Sequence, residues 1–219
     1  MADLRSELKP FFLYEFDSAT ESKQKFHLKL CEILGTILQL PPEELQFETR
    51  SQGKPVLSPA QNHLNLSFNL SHSGEKIILG VAIPSSLNSS VEIGVDIQKK
   101  RPVDVLKLAK RFFHPDEYQT LLHTDATQRD NLFFTYWVQK EAYVKMRGES
   151  LGSCLKCNIH QALKGCSVET WTQASFFYAV VIHTRPLRNL RRDAVKLDKE
   201  IAKKKGQTIN LAAKYTESF

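Results

Sequence analysis

Between residues 22 and 40 the apolar side chains fall at Phe26, Leu30, Ile33, Leu34, Ile37 and Leu38. That three- and four-residue spacing predicts one buried face of an α-helix. The prolines of LPPEEL end it and open a new turn. Residues 51–55, SQGKP, read as a turn. NLSFNLSHSG (65–74) changes the period to two, with Leu66, Phe68 and Leu70 on one face, and predicts a strand leaving through a polar glycine turn. KIILGVAI (76–83) predicts a second strand. VEIGVDIQ (91–98) predicts a third, expected to pair with it as a hairpin across the loop PSSLNSS. Helical spacing returns at 103–113. Pro115 suits the first position of another helix with His114 before it, and 130–147 forms a third in this region. SFFYAVVIHT (175–184) predicts a strong strand. Helices and strands are interspersed without an internal repeat, so the expected class is α+β.

Composition changes this picture little, and charge changes it in one place. At 219 residues, with 42% apolar and 25% charged side chains, the chain is an ordinary globular one long enough to bury a core. No apolar run reaches the length of a membrane span, and the N-terminal residues lack the pattern of a secretory signal. The expected location is cytoplasmic. Four cysteines, Cys31, Cys154, Cys157 and Cys166, are expected as free thiols there. The net charge of +6 is local: Arg185 to Lys205 holds nine Lys/Arg against three Asp/Glu, and the rest of the chain is neutral. This tail is also apolar at helical spacing (Leu187, Leu190, Ala194, Val195, Leu197, Ile201), which predicts an amphipathic helix packed on the body. It could alternatively steer an acidic partner. Without stacking aromatics it is no argument for nucleic acid.

Candidate chemistry sits in four short stretches. In WVQKEAYVKMRG, Trp137, Glu141 and Lys145 form one helical stripe beside the core positions Phe134, Val138 and Ala142. Taken alone, Glu141 and Lys145 could be a solvated i,i+4 pair. In IGVDIQ, Asp96 ends an apolar strand and shares a face with Gly94 and Gln98, where glycine lets something large approach. Asp96 is either a turn cap or an oxygen ligand for Mg²⁺, which binds one or two carboxylates together with substrate phosphate. Ser71, His72 and Ser73 offer groups suited to phosphate, although a single loop histidine is more often inert. Arg50 and Lys54 flank a turn glycine, as phosphate ligands or as solvated charges.

In this order, GKP, FNLSHSG, IGVDIQ, KRFFHPDEY and WVQKEAYVKMRGESL closely resemble the 4′-phosphopantetheinyl transferases of the surfactin-synthetase-activating (Sfp-like) type, over Gly53 to Leu151. The resemblance implies two similar α/β halves related by pseudo-two-fold symmetry, residues 1–90 and 91–184, with coenzyme A and Mg²⁺ in the cleft between them and 185–219 as a basic, helical extension. It implies a holo-[acyl-carrier-protein] synthase activity: the 4′-phosphopantetheine group moves from coenzyme A to a serine of an apo acyl or peptidyl carrier protein, releasing adenosine 3′,5′-bisphosphate. Asp96 and Glu141 match the metal-binding acids, and Glu141 is also the candidate base. Lys145 matches the pyrophosphate-contacting lysine, with Lys140 expected to offset phosphate charge beside it. Ser71, His72 and Lys54 match the nucleotide end, with Arg50 close by. A monomer is expected. The carrier could belong to fatty acid, polyketide or nonribosomal peptide biosynthesis.

Three departures stand out. Gln98 occupies a position where many members carry a second acid, so it is expected as a weak metal partner acting through water. The N-terminal segment is short, with Lys23, Lys25 and His27 in place of an arginine-bearing helix. The basic tail matches no family motif. A coenzyme A-binding scaffold without transfer is the alternative these departures favour. Cys154, Cys157, His160 and Cys166 fit a zinc site poorly, since only the first pair has suitable spacing.

Overall fold

The computed structural model describes residues 11–17, 23–50, 53–86 and 88–186. Two antiparallel three-stranded sheets form its centre. In the first, β5 (Lys76–Ala82) lies between β1 (Phe11–Asp17) and β4 (Ser67–Ser73). In the second, β8 (Phe176–Pro186) lies between β6 (Ser89–Lys99) and β7 (Ser167–Gln173). A short ribbon pairs β2 (Phe47–Thr49) with β3 (Pro55–Leu57). The expected hairpin between 76–83 and 91–98 does not form: β5 pairs with β1 and β4, while β6 pairs with β8. Sequence proximity favours the hairpin, but β6 is an apolar strand of eleven residues whose full-length match is β8.

Period-two alternation sets the layers. On β5, Leu79 and Val81 face α1 (Lys23–Leu38), where they join Leu30, Leu34, Leu38 and Phe68. Ile78 and Ala82 face the other way, onto Val91, Ile93, Val95 and Ile97 of β6. The opposite face of the second sheet carries Phe177, Ala179 and Val181. It is covered by α4 (Ala126–Arg147) through Phe134, Val138, Ala142 and Met146. Helix α4 is capped by Asp125 at its start and by left-handed Gly148 at its end. Two shorter helices, α2 (Val105–Phe112) and α3 (Pro115–His123), pack at its side, and α3 begins at Pro115 with a His114 and Glu117 capping box. The one-turn helices α5 (Leu151–Cys154) and α6 (Ile159–Ala162) follow.

The edges of the two sheets meet along β4 and β6 through side chains. Backbone N–H groups of Ile93, Val95, Ile97 and Lys99 donate to Ser67 Oγ (3.3 Å), Asn69 Oδ1 (2.9 Å), Ser71 Oγ (3.3 Å) and Ser73 Oγ (2.9 Å). The polar positions of β4 thus satisfy a strand edge that no backbone pairs, as a buried edge requires.

Free thiols are the second expectation to change. Cys154 and Cys157 are disulfide-bonded, while Cys31 and Cys166 are free. A turn with Cα atoms 4.9 Å apart brings the pair together. The expected tail helix lies outside the described residues, as do the side chain of Lys23 and all of residues 1–10.

Candidate active site

The seam and α4 converge on Asp96. Along β6, Glu92, Gly94, Asp96 and Gln98 point toward α4. Gly94 allows the helix to lie directly on the strand: a Cβ there would stand 1.9 Å from the Ala142 carbonyl oxygen and 2.4 Å from the Met146 nitrogen. What the glycine admits is therefore backbone of the protein itself. Two residues on, Asp96 is buried under the same helix.

Two side chains bond the Asp96 carboxylate. Lys145 Nζ donates to Asp96 Oδ1 at 2.7 Å and to Ser71 Oγ at 2.8 Å, and the Ser71 hydroxyl donates to Asp96 Oδ1 at 2.7 Å. Glu141, one turn before Lys145, completes the group. Burial first, and then the negative charge of Asp96, push its carboxyl up to about 7, against the opposing pull of Lys145. Asp96 is also raised, by burial, with Lys145 and Ser71 acting in the other direction. One ammonium facing two half-buried or buried carboxylates leaves negative charge under-compensated. Such a set suits a hard divalent cation. Among the described residues no group of three His, Cys, Asp or Glu side chains could hold a metal ion, so such a cation would meet at most two carboxylates of the protein here.

The other expected residues fall in different places. Ser71 and His72 alternate across β4, so Ser71 reaches Asp96 while His72 is exposed on the side that α1 covers. Gln98 shares the Asp96 face, but its amide donates to Ser73 Oγ and to the Lys99 carbonyl. Lys54 is enclosed, with its side chain 7% exposed. It donates to the carbonyls of Ile93 (3.3 Å) and Met146 (3.2 Å) and lies 3.6 Å from Glu92, tying the GKP turn to β6 and to the end of α4. Burial holds its ammonium below the usual lysine range, with Glu92 opposing. Arg50 pairs with the same Glu92 at 3.0 Å. Both basic residues line a cavity of about 210 Å³, with Glu92, Arg147, His183 and Arg185. Glu92 is four residues from Asp96 on one strand face, or about 13 Å away at the rise of a β-strand.

Lys140 is the clearest correction. Expected beside the phosphates, it is instead 0% exposed and bonded to Glu117 Oε2 at 2.8 Å and to the carbonyl of Cys157. Adjacent residues of a helix point about 100° apart, so Lys140 and Glu141 serve different faces. Its partner Glu117 escaped sequence reading. The only signal for it was the capping pattern HPDE, which predicts a solvated N-terminal acid and not one 2% exposed.

Residues 92–196 match the sequence model of the 4′-phosphopantetheinyl transferase superfamily. Similar curated proteins are the 4′-phosphopantetheinyl transferase psf-1 of Bacillus pumilus, 34% identical over 154 residues, 66% of this chain and 61% of the relative; HetI of a Nostoc species, 39% identical over 123 residues, 56% of this chain and 49% of the relative; and Sfp of Bacillus subtilis, 34% identical over 119 residues, 54% of this chain and 48% of the relative. The aligned stretch therefore spans about half to three fifths of the relatives' length. The matched region, from Glu92 in β6 through β8, contains the motifs IGVDIQ, KRFFHPDEY and WVQKEAYVKMRGESL.

Proposed function

We propose that this chain transfers the 4′-phosphopantetheine group of coenzyme A to a serine hydroxyl of an apo acyl or peptidyl carrier protein. The observation that carries the reading is the convergence of Ser71, Asp96, Glu141 and Lys145 from one strand of each sheet and one helix. The region that matches the superfamily holds three of the four. The two sheets with their covering helices are read as the two pseudo-symmetric halves, 1–90 and 91–184, with the site in the cleft where they meet and 185–219 as an extension.

In this reading the carrier serine oxygen attacks the phosphorus that bears pantetheine. The bond from that phosphorus to the bridging oxygen breaks, and adenosine 3′,5′-bisphosphate leaves. Glu141, ionised at and above about pH 7, accepts the serine proton. Lys145 is partly exposed and reaches phosphate oxygens by exchanging its present contacts for them. Ser71 holds Asp96 in place. Asp96 and Glu141 would hold Mg²⁺, which neutralises pyrophosphate charge when bound. The cationic cavity at Arg50 and Lys54 suits the nucleotide's 3′-phosphate. Catalysis of this kind is mainly positioning and charge stabilisation. Among the described residues no helix is long and apolar enough to cross a membrane; action on cytoplasmic carriers as a monomer completes the proposal.

The test is intact-mass spectrometry of apo acyl and peptidyl carrier proteins incubated with the chain, coenzyme A and Mg²⁺. Gain of one phosphopantetheinyl group, lost with EDTA, is the expected result. No gain on any carrier, with coenzyme A binding measured separately, would overturn transfer in favour of a binding scaffold.

A further inference from the structure

The ion pair between Glu117 and Lys140 is the most deeply buried charged group in the described residues, and no step of the proposed reaction uses it. It joins four parts of the second half. Lys140 Nζ donates to Glu117 Oε2 and to the Cys157 carbonyl and lies 5.3 Å from the centre of the Phe113 ring. Glu117 Oε1 accepts from the Ile159 N–H at 2.7 Å, and Oε2 accepts from the His114 N–H at 3.1 Å. Helix α4 is thereby bonded to α3 and to the turn before α6, and α3 is bonded through Glu117 to the first residue of α6. A buried pair of this kind adds little stability over apolar residues of similar volume, whereas separating its partners leaves an uncompensated buried charge. On its strand side, α4 lies directly on Gly94 with no side chain between them. Gly94 sets the height of the helix above β6 and Phe134, Val138 and Met146 seat it on the sheet, while the pair anchors the side of α4 turned to α3.

We propose that Glu117 and Lys140 are positioning residues: the pair fixes the rotation of α4, and so holds Glu141 opposite Asp96. Lys140 precedes Glu141 directly, so any rotation at one is transmitted to the other. With side chains about 6 Å from the axis, a turn of about 20° carries the Glu141 carboxylate about 2 Å. A misplacement of about 1 Å can cost about 10²-fold in rate. The inference rests on the reading that Asp96 and Glu141 hold a divalent cation for the transfer.

The experiment replaces both charges in the full chain, Glu117→Gln with Lys140→Met, which keeps an acceptor for the Ile159 N–H. Calorimetry establishes folding, steady-state transfer gives kcat and KM, and Mn²⁺ resonance in the presence of coenzyme A gives metal affinity. A folded double variant is expected to lose at least tenfold in kcat and tenfold in Mn²⁺ affinity, with KM for coenzyme A within threefold of the native value. A folded double variant within twofold of the native chain in both kcat and Mn²⁺ affinity overturns the proposal. If the double variant does not fold, Glu117→Gln alone decides: at least a threefold loss of kcat and of Mn²⁺ affinity at unchanged KM supports it, and native values overturn it. If the native chain transfers nothing, the transfer reading fails by itself and Mn²⁺ affinity decides the role of the pair.

Discussion

Asp96 and Glu141 are two acids on two elements, brought together where burial and their mutual repulsion disfavour ionising both. Lys145 offsets one charge and leaves the other for a ligand. Replacing Glu141 with Gln removes the proton acceptor and one metal oxygen. Turnover should then fall by at least about 10²-fold, the usual loss for a general base. The melting temperature at pH 8 without metal should hold or rise, because the variant discards a charge the fold resists. A clear drop in melting temperature would show that Glu141 stabilises the fold, which counts against its role as base and metal ligand. Geometry at this scale also explains why a lysine and a glutamate are adjacent in an aromatic helix: Glu141 turns toward Asp96 and Lys145, and Lys140 turns to Glu117 in the core.

At the scale of elements, two contacts hold the site together. The first is α4 on β6 at Gly94. Gly94→Ala would drive a Cβ into the helix backbone, which cannot give way as a flexible side chain would. The expected cost is about 3 kcal/mol or more, at the upper end for overpacking; a urea midpoint equal to that of the native chain would mean that α4 lies further from β6. The second is the side-chain ladder along the seam. Asn69→Leu strands the buried Val95 N–H and should cost about 1–3 kcal/mol by the same measurement, with the slope against urea unchanged. Alternation made β4 readable as a strand and named its apolar face. It did not say that Ser67, Asn69, Ser71 and Ser73 would serve another strand's edge, because a polar face reads equally well as solvated.

For the whole molecule, the raised carboxylates fix the sign of a pH effect. Glu141 titrates near 4.5 when unperturbed and at about 7 in the fold, so between those values the folded chain binds more protons than the unfolded one. Stability from this group is full below about pH 4.5 and is lost as pH rises to about 7. Asp96, raised likewise, adds to the loss in the same direction. The metal-free protein should therefore melt at a lower temperature at pH 7.5 than at pH 5.5, and Glu141→Gln should flatten that slope. Mg²⁺ with coenzyme A should raise the melting temperature more at pH 7.5, where Glu141 is mostly ionised, than at pH 5.5. Equal slopes for the native chain and the variant would remove Glu141 as the cause.

The α+β class, most of the helices and the strands at β4, β5, β6 and β8 were legible in the chain's residues, which also singled out Asp96, Glu141 and Lys145, three residues that the fold brings together. Periodicity and residue type are local properties, and the motif order is preserved along the chain. Tertiary structure alone decided that β6 pairs with β8, since register is chosen among all available edges. It buried Lys54 against carbonyls and bonded Cys154 to Cys157. It also gave Lys140 to Glu117, 23 residues earlier in the chain. An ammonium group is the same to a sequence reader whether it meets a phosphate or a buried carboxylate, and only the packing around it settles which charge it faces.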